Sequence, residues 1–318
     1  MASWLNKLIP KKKLQHKTIL GVNITPQGAA WCVLQCEDGR PVLTEQATLT
    51  GEFKTPAAAL TALFKHQAPP NVPCHISLSH HFYQMLLVDT PDVPEQELRE
   101  AVKWRVKDLI TQPVESMVLD VFRLPADAYR GRVNMVYVAL IERALVAPMV
   151  KLCDERELPI GSIGIAELAV ARISRQLADL QDRGLAMLFL TGNDGTINLV
   201  ENGYLYLTRT LEMQSMGGYS GNLDFNQDPT DNLALDIQRS LDYYESQVGK
   251  SGVNRVYLLS DSIEQHQWCD DLSQRLPIKA QGFSLADVVT LQAELSTFEQ
   301  GLLAPAVGIA LGGQPVAA

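Results

Sequence analysis

Cysteine is scarce in this chain. Five cysteines, Cys32, Cys36, Cys74, Cys153 and Cys269, are spread over 318 residues, and their spacings form neither a CxxC pair nor a disulfide framework. A reducing cytoplasm suits that usage. No apolar run approaches the ~20 residues that a membrane-spanning helix needs, and the N-terminus lacks the long apolar core of a secretory signal, so export is not expected. Positive charge is also short: 27 Lys and Arg stand against 36 Asp and Glu, a formal net charge of −9. A surface of that sign repels a phosphate backbone, which argues against nucleic acid as a partner. A metal centre and a hydrolytic triad are missing too. Cys74, His75, His80 and His81 are close in sequence, but on a strand Cys74, Ile76 and Leu78 face one way while His75 and Ser77 face the other, so the ligands diverge. Gly218-Tyr219-Ser220-Gly221 sets its last glycine one position too early for a nucleophile elbow.

What the chain does have is 46% hydrophobic residues, enough for a large core and for two lobes at ordinary domain sizes. Two stretches read as strand-turn-strand hairpins of the kind that cradle phosphates. Thr18 to Leu34 carries an apolar strand, a turn with Pro26 and Gly28, and a second apolar strand. Leu185 to Thr210 repeats the plan through Thr191-Gly192-Asn193-Asp194-Gly195, followed by an Asn202-Gly203 turn, a strong hairpin signal because both residues must take positive φ. Neither hairpin carries the acidic residue such cradles use. Ahead of them, residues 1–16 form a basic amphipathic leader: Trp4, Leu5, Leu8 and Ile9 fall at helical spacing beside Lys7, Lys11, Lys12 and Lys13. Such a leader suits weak contact with anionic lipid, or a solvated tail.

Between the hairpins the pattern predicts a first-lobe core over 17–91, with strands over 42–50, 75–78 and 82–88 and a helix from Ala57 to Phe64. An inserted α+β unit follows over 92–162. Its helix runs from Val93 to Ile110, started by an Asp92 cap with Glu95 completing a capping box, and Leu98, Ala101, Val102, Arg105 and Leu109 share one face. Trp104 falls about 140° from the centre of that stripe, which sends it away from the principal core. A return helix over 163–184 leads to a second lobe over 185–318. There Leu233, Ile237, Leu241, Tyr244 and Val248 form one helical stripe, the polar stretch from Gly217 to Thr230 is expected to be a loop, and the segment from Leu302 to Leu311 closes the core.

Paired hairpins with an inserted unit in the first lobe resemble the actin-like ATPase superfamily, which implies a two-lobed α/β fold of the ribonuclease H-like kind. Three stretches narrow the resemblance to the PilM family of type IV pilus assembly proteins: Asp92-Val93-Pro94-Glu95-Gln96-Glu97-Leu98-Arg99-Glu100-Ala101-Val102-Lys103-Trp104, Asp236-Ile237-Gln238-Arg239-Ser240-Leu241-Asp242-Tyr243-Tyr244, and Ala306-Val307-Gly308-Ile309-Ala310-Leu311. The short chain and eroded cradles are most similar to the branch serving mannose-sensitive haemagglutinin (MSHA) pili. In that family the first hairpin holds Gly-(Ile/Val)-Asp-(Ile/Leu)-Gly. Here the matching residues are Gly21, Val22, Asn23, Ile24 and Thr25, so the metal-positioning carboxylate and the last glycine are both replaced. The second cradle offers Thr191, Gly192, Asp194 and Gly195, with Asp194 the one acid that could substitute. The glycine-rich turn expected against adenosine is replaced by Ser260-Asp261-Ser262-Ile263-Glu264.

Magnesium prefers carboxylates together with phosphate oxygens, and phosphate cradles need glycine-freed amides. The expectation is therefore a pseudo-ATPase with no cofactor, the alternative being an actin-like ATPase or nucleotide-gated switch holding ATP or ADP with magnesium. A sugar-kinase relative is a weaker third reading, since no aspartate between the lobes offers itself as a base. The resemblance implies a cytoplasmic scaffold, peripheral at the inner membrane, that binds the short N-terminal peptide of a PilN-like bitopic membrane protein in a groove between first-lobe core and insert, alongside other pilus assembly proteins including the assembly motor platform. Leu98, Trp104 and the strand carrying Phe82 and Leu86 are the expected contact residues.

Overall fold

The computed structural model describes residues 18–37, 40–129, 134–177, 183–191, 194–212, 229–260 and 265–313. The leader 1–16, Gly192, most of the loop expected at 217–230 and Asp261 to Glu264 lie outside the described residues. The first lobe is a six-stranded sheet, in order β14-β3-β2-β1-β4-β8. It is built from β1 (Thr18–Thr25), β2 (Gly28–Glu37), β3 (Arg40–Thr50), β4 (Cys74–Leu78), β8 (Ile160–Ile165) and β14 (Thr290–Leu291). The β1–β2–β3 meander is antiparallel, and β4 and β8 add in parallel. Helices α1 (Pro56–His66) and α3 (Arg143–Glu155) cover one face, packing Leu60, Leu63 and Phe64 with Met149 and Cys153 against Val22, Trp31 and Ile76. Thr55 caps α1, accepting a hydrogen bond from the Ala58 amide at 3.3 Å.

The second lobe repeats the plan. Its sheet runs β11-β10-β9-β12-β13, from β9 (Gly184–Thr191), β10 (Asp194–Glu201), β11 (Tyr204–Glu212), β12 (Val253–Ser260) and β13 (Lys279–Gly282). The turn between β10 and β11 is the expected one, with Asn202 at φ 53°. Helix α5 (Pro229–Tyr243), continued by a π turn over Tyr244–Val248, lays the predicted stripe of Leu233, Ile237, Leu241, Tyr244 and Val248 on this sheet, with α6 (Gln265–Arg275) beside it.

Two helices join the lobes. α4 (Ala166–Ser174) follows β8, and α7 (Thr297–Leu311) comes near the end of the chain. α7 is apolar on all sides and buried throughout Leu302 to Ala310. Burying its Leu302, Leu303, Val307 and Ile309 contributes about 1.5–3 kcal/mol each. It lies on β1, β2 and β4, while β14 pairs with β3. The last part of the stretch expected in the second lobe, 185–318, thus returns to the first.

The inserted unit also differs in its boundaries. β5 (Gln84–Asp89), expected in the first-lobe core, pairs instead with β7 (Met135–Glu142), which pairs with β6 (Met117–Arg123) to give a separate sheet ordered β5-β7-β6. α3 and β8, expected in the insert, belong to the first lobe. The insert therefore runs from Gln84 to Glu142. Its helix α2 (Glu95–Val106) sets Leu98, Val102 and Val106 against Val88, Leu119, Val136 and Val138. Asp92 does not cap it: the N-cap is Pro94, without a side-chain hydrogen bond, and Glu95 pairs instead with Arg123 at 2.7 Å. Leu109, expected on the stripe, lies past the end of the helix and is exposed.

The insert reaches both lobes. Beyond β6, Leu124, Ala128 and Tyr129 enter the core of the second lobe, and the Tyr129 amide donates to the Val248 carbonyl at 2.8 Å. Lys250, whose side chain is only 6% exposed, pairs with Asp127 of the insert and, at 2.9 Å, with Glu201 of the second lobe. Burial opposes its charge, but Asp127 and Glu201 together hold the ammonium above its ordinary range.

Candidate functional site

Two concave places compete for the role of site. The first is the cleft between the lobes, where the sequence places the degenerate cradle. Asn23 and Thr25 from the first hairpin face Gly195, Thr196 and Asn198 from the second across it. The cavity left between them is only about 60 Å³. That is room for a few waters and far below the several hundred Å³ usual for a small-molecule ligand.

Local chemistry explains the closure. Thr25 Oγ1 donates to the Gly28 carbonyl at 3.1 Å and accepts the Gln27 amide at 3.2 Å, so the turn spends an amide on itself that a phosphate would need. Gly21 serves helix packing: a Cβ there would stand 2.0 Å from the Ala306 carbonyl oxygen of α7. Pro305 has no N–H, which deprives the Gly301 carbonyl of its helical donor, and the neighbouring Leu302 carbonyl accepts from Asn23 Nδ2 at 3.0 Å. Asn23, 2% exposed, is thus a strut between β1 and α7. Its Oδ1 and that of Asn198 are buried without a protein partner. Glu167 on α4, 4% exposed, faces the same small cavity and accepts a hydrogen bond from the Tyr83 hydroxyl. Burial pushes its carboxyl above the usual range against that hydrogen bond. Thr191 and Asp194 stand opposite each other where the β9–β10 ladder ends. Among the described residues, no three His, Cys, Asp or Glu side chains gather where they could hold a metal.

The second place is a groove of about 300 Å³ between the first lobe and the insert. One wall is β8, through Ser162, Ile163 and Gly164; the other is β6, through Val118, Asp120 and Phe122. Among the described residues each is the last strand of its sheet, so the groove runs between two strand edges with no described strand beside them. Ile309 and Leu168 supply apolar floor, and Tyr83 and Arg172 are its polar points. The Val121 amide is held by the Asp120 carboxylate at 3.0 Å, a local substitute for a missing neighbouring strand. Behind β8, His75 hydrogen-bonds with Ser162 at 2.8 Å, and burial together with Arg172 lowers its pKa to about 4. A groove of this form accepts an extended peptide by strand addition, with apolar side chains filling the walls.

The expected contact residues are only partly brought together. Trp104 is 75% exposed on α2, on the outer side of the insert. Leu98 is buried in the insert core, Phe82 in the first-lobe core, and Leu86 is half-buried against the insert core. None of these three lines the groove. The residues that do, on β6 and β8, carry no motif; they were discoverable only through knowing which strands end their sheets. Among the described residues, no helix is long and apolar enough to cross a membrane.

The sequence matches no protein-family profile and no curated protein. The fold has clear relatives among solved structures. A chain of a PilM–PilN type IV pilus biogenesis complex superposes with a TM-score of 0.71 at 18% identity, covering 94% of this chain and 99% of that one. The cytoplasmic domain of EpsL, an inner-membrane component of the type II secretion system of Vibrio cholerae, gives 0.51 at 12% identity, covering 91% and 94%. A Bacteroides thetaiotaomicron protein with an actin-like ATPase fold gives 0.52 at 10% identity, covering 87% and 93%. The chain has the two-lobed actin-like α/β fold.

Proposed function

We propose that this protein is a non-catalytic scaffold of a type IV pilus or related secretion assembly at the inner membrane, and that it captures an extended cytoplasmic segment of a PilN-like bitopic partner in the groove between β6 and β8. The observation that carries the reading is the pair of open strand edges facing one apolar groove, on a fold whose inter-lobe cleft is filled by its own helices. Likeness to a chain of the PilM–PilN complex and to the EpsL cytoplasmic domain supports the setting. The residues of the first cradle, Asn23 and Thr25 among them, favour an MshI-like branch serving MSHA pili. In this reading the protein is a pseudo-ATPase: Asn23 replaces the metal-positioning carboxylate, and Thr25 closes the turn that would hold phosphate. It works in the cytoplasm, held at the inner membrane by its partner, and presents its remaining surface to other assembly proteins, the motor platform among them.

The test uses Val121→Pro. The Val121 amide bonds to the Asp120 side chain, so proline there removes no ladder bond, and an edge strand tolerates it. It takes away a donor that an added strand needs. Calorimetry with the N-terminal peptide of the PilN-like protein should show about a ten-fold or greater loss of affinity, with the melting temperature nearly kept. Undiminished affinity in this variant would remove the groove from the partner site.

A further inference from the structure

The groove does not end at β6. On the other side of the same strand edge lies a second cavity of about 330 Å³, between α2 and the start of β6, and Val118 lines both. Its character is different. Trp104 forms a wall, and Arg99, Lys103, Lys107 and Arg143 surround it, with Glu100 and Glu115 as the acids. Glu100 pairs with Lys103 at 2.7 Å. Lys107 lies over the Trp104 ring at 5.7 Å, and the Arg99 Nε is buried without a hydrogen-bond partner. After the Lys103–Glu100 pair cancels, three cations face one carboxylate, on a chain whose formal net charge is −9.

We infer that the segment bound along β6 is acidic and apolar in alternation: its apolar side chains enter the inner groove beside Val118 and Phe122, and its Asp or Glu side chains enter the outer cavity beside Trp104, Lys107 and Arg143. The argument rests on the proposed capture of an extended segment and adds the chemistry of what is captured. Successive side chains of a strand point to opposite faces. On β6 itself, Leu119 faces the α2 side while Val118 and Phe122 face the groove. A strand added to that edge obeys the same alternation, so one parity meets a mainly apolar wall and the other meets Arg99, Lys107 and Arg143. Carboxylates there gain charge-assisted hydrogen bonds, with Arg99 offering an unused donor. The exposed indole covers the stems of those side chains, a frequent use of tryptophan at interface centres. The same cavity disfavours lysine and gives asparagine no Coulomb gain, which makes charge the selective element.

The experiment uses the full chain and three short synthetic peptides that alternate valine with aspartate, with asparagine, or with lysine, titrated by calorimetry at low ionic strength. The aspartate peptide should bind about ten-fold tighter than the asparagine peptide, the lysine peptide weakest, with the preference shrinking as salt is raised. Lys107→Glu combined with Arg143→Glu changes two exposed side chains and should erase the preference without lowering the melting temperature. Val121→Pro should weaken all three peptides. Equal affinities that are all lost in Val121→Pro would overturn the acidic alternation and leave segment capture standing. Failure of all three to bind would overturn the inference together with pairing on β6.

Discussion

The inter-lobe cleft and the insert groove are both built from strand ends and crossing helices, yet one is shut and the other open. In the cleft side chains bond back into the protein: Asn23 Nδ2 bonds to α7, Thr25 turns back on its own hairpin, and the Tyr83 hydroxyl meets Glu167. In the groove, β6 and β8 each have no described strand on their outer side, and the Asp120 side chain accepts the Val121 amide. The difference teaches that one concavity shrinks to about 60 Å³ where side chains bond across it, while another of about 300 Å³ stays where two sheets end side by side.

The largest expected effect comes from cutting the insert away from the second lobe. Lys250→Met leaves Asp127 and Glu201 without their cation and should cost about 2–4 kcal/mol in chemical denaturation, less than a fully buried pair because the Asp127 side chain is 38% exposed. A loss under about 1 kcal/mol would mean that the insert is held by the Leu124, Ala128 and Tyr129 packing alone.

A carboxylate at position 23 tests the closed side. Asn23→Asp removes the donor to the Leu302 carbonyl and brings a carboxylate against it, an expected loss of about 1–3 kcal/mol. Thermal shift of this variant with ATP and magnesium should stay flat, because the carboxylate returns to a cavity with no room for phosphate. A rise in melting temperature would reopen the nucleotide-switch reading.

The smallest effect concerns the open side. His75 has a folded pKa of about 4 against an ordinary 6.5. As pH falls, the unfolded chain takes up the proton first, so the contribution is full above about 6.5 and is lost progressively toward pH 4. Discounted for partial exposure, it amounts to about 1–2 kcal/mol. His75→Gln should flatten that part of the stability profile, and peptide affinity of the parent should hold down to about pH 4 and weaken only there, where the folded imidazole that braces Ser162 takes up its proton.

Much of this was legible in the residues. The stripe from Leu233 to Val248 specified α5, and Asn202-Gly203 specified its hairpin. Three things were not. The run from Gln84 to Asp89 has no local sign of which sheet it joins, because strand pairing is a long-range choice, and so the insert was given the wrong borders. Helix α6 buries few side chains, chiefly Cys269 and Leu272, too sparse a stripe to show periodicity. The groove is a product of topology: no residue on β6 or β8 differs in kind from an ordinary strand residue, and only the strand order reveals that both edges are free.

The insert's anchorage in both lobes has a mechanical corollary. Were the proposed guest strand paired along β6 and pulled along its own axis, its row of backbone bonds would share the load in shear instead of peeling one by one. Lys250 and the Tyr129 amide would then pass the strain into the second lobe, spreading it over both lobes.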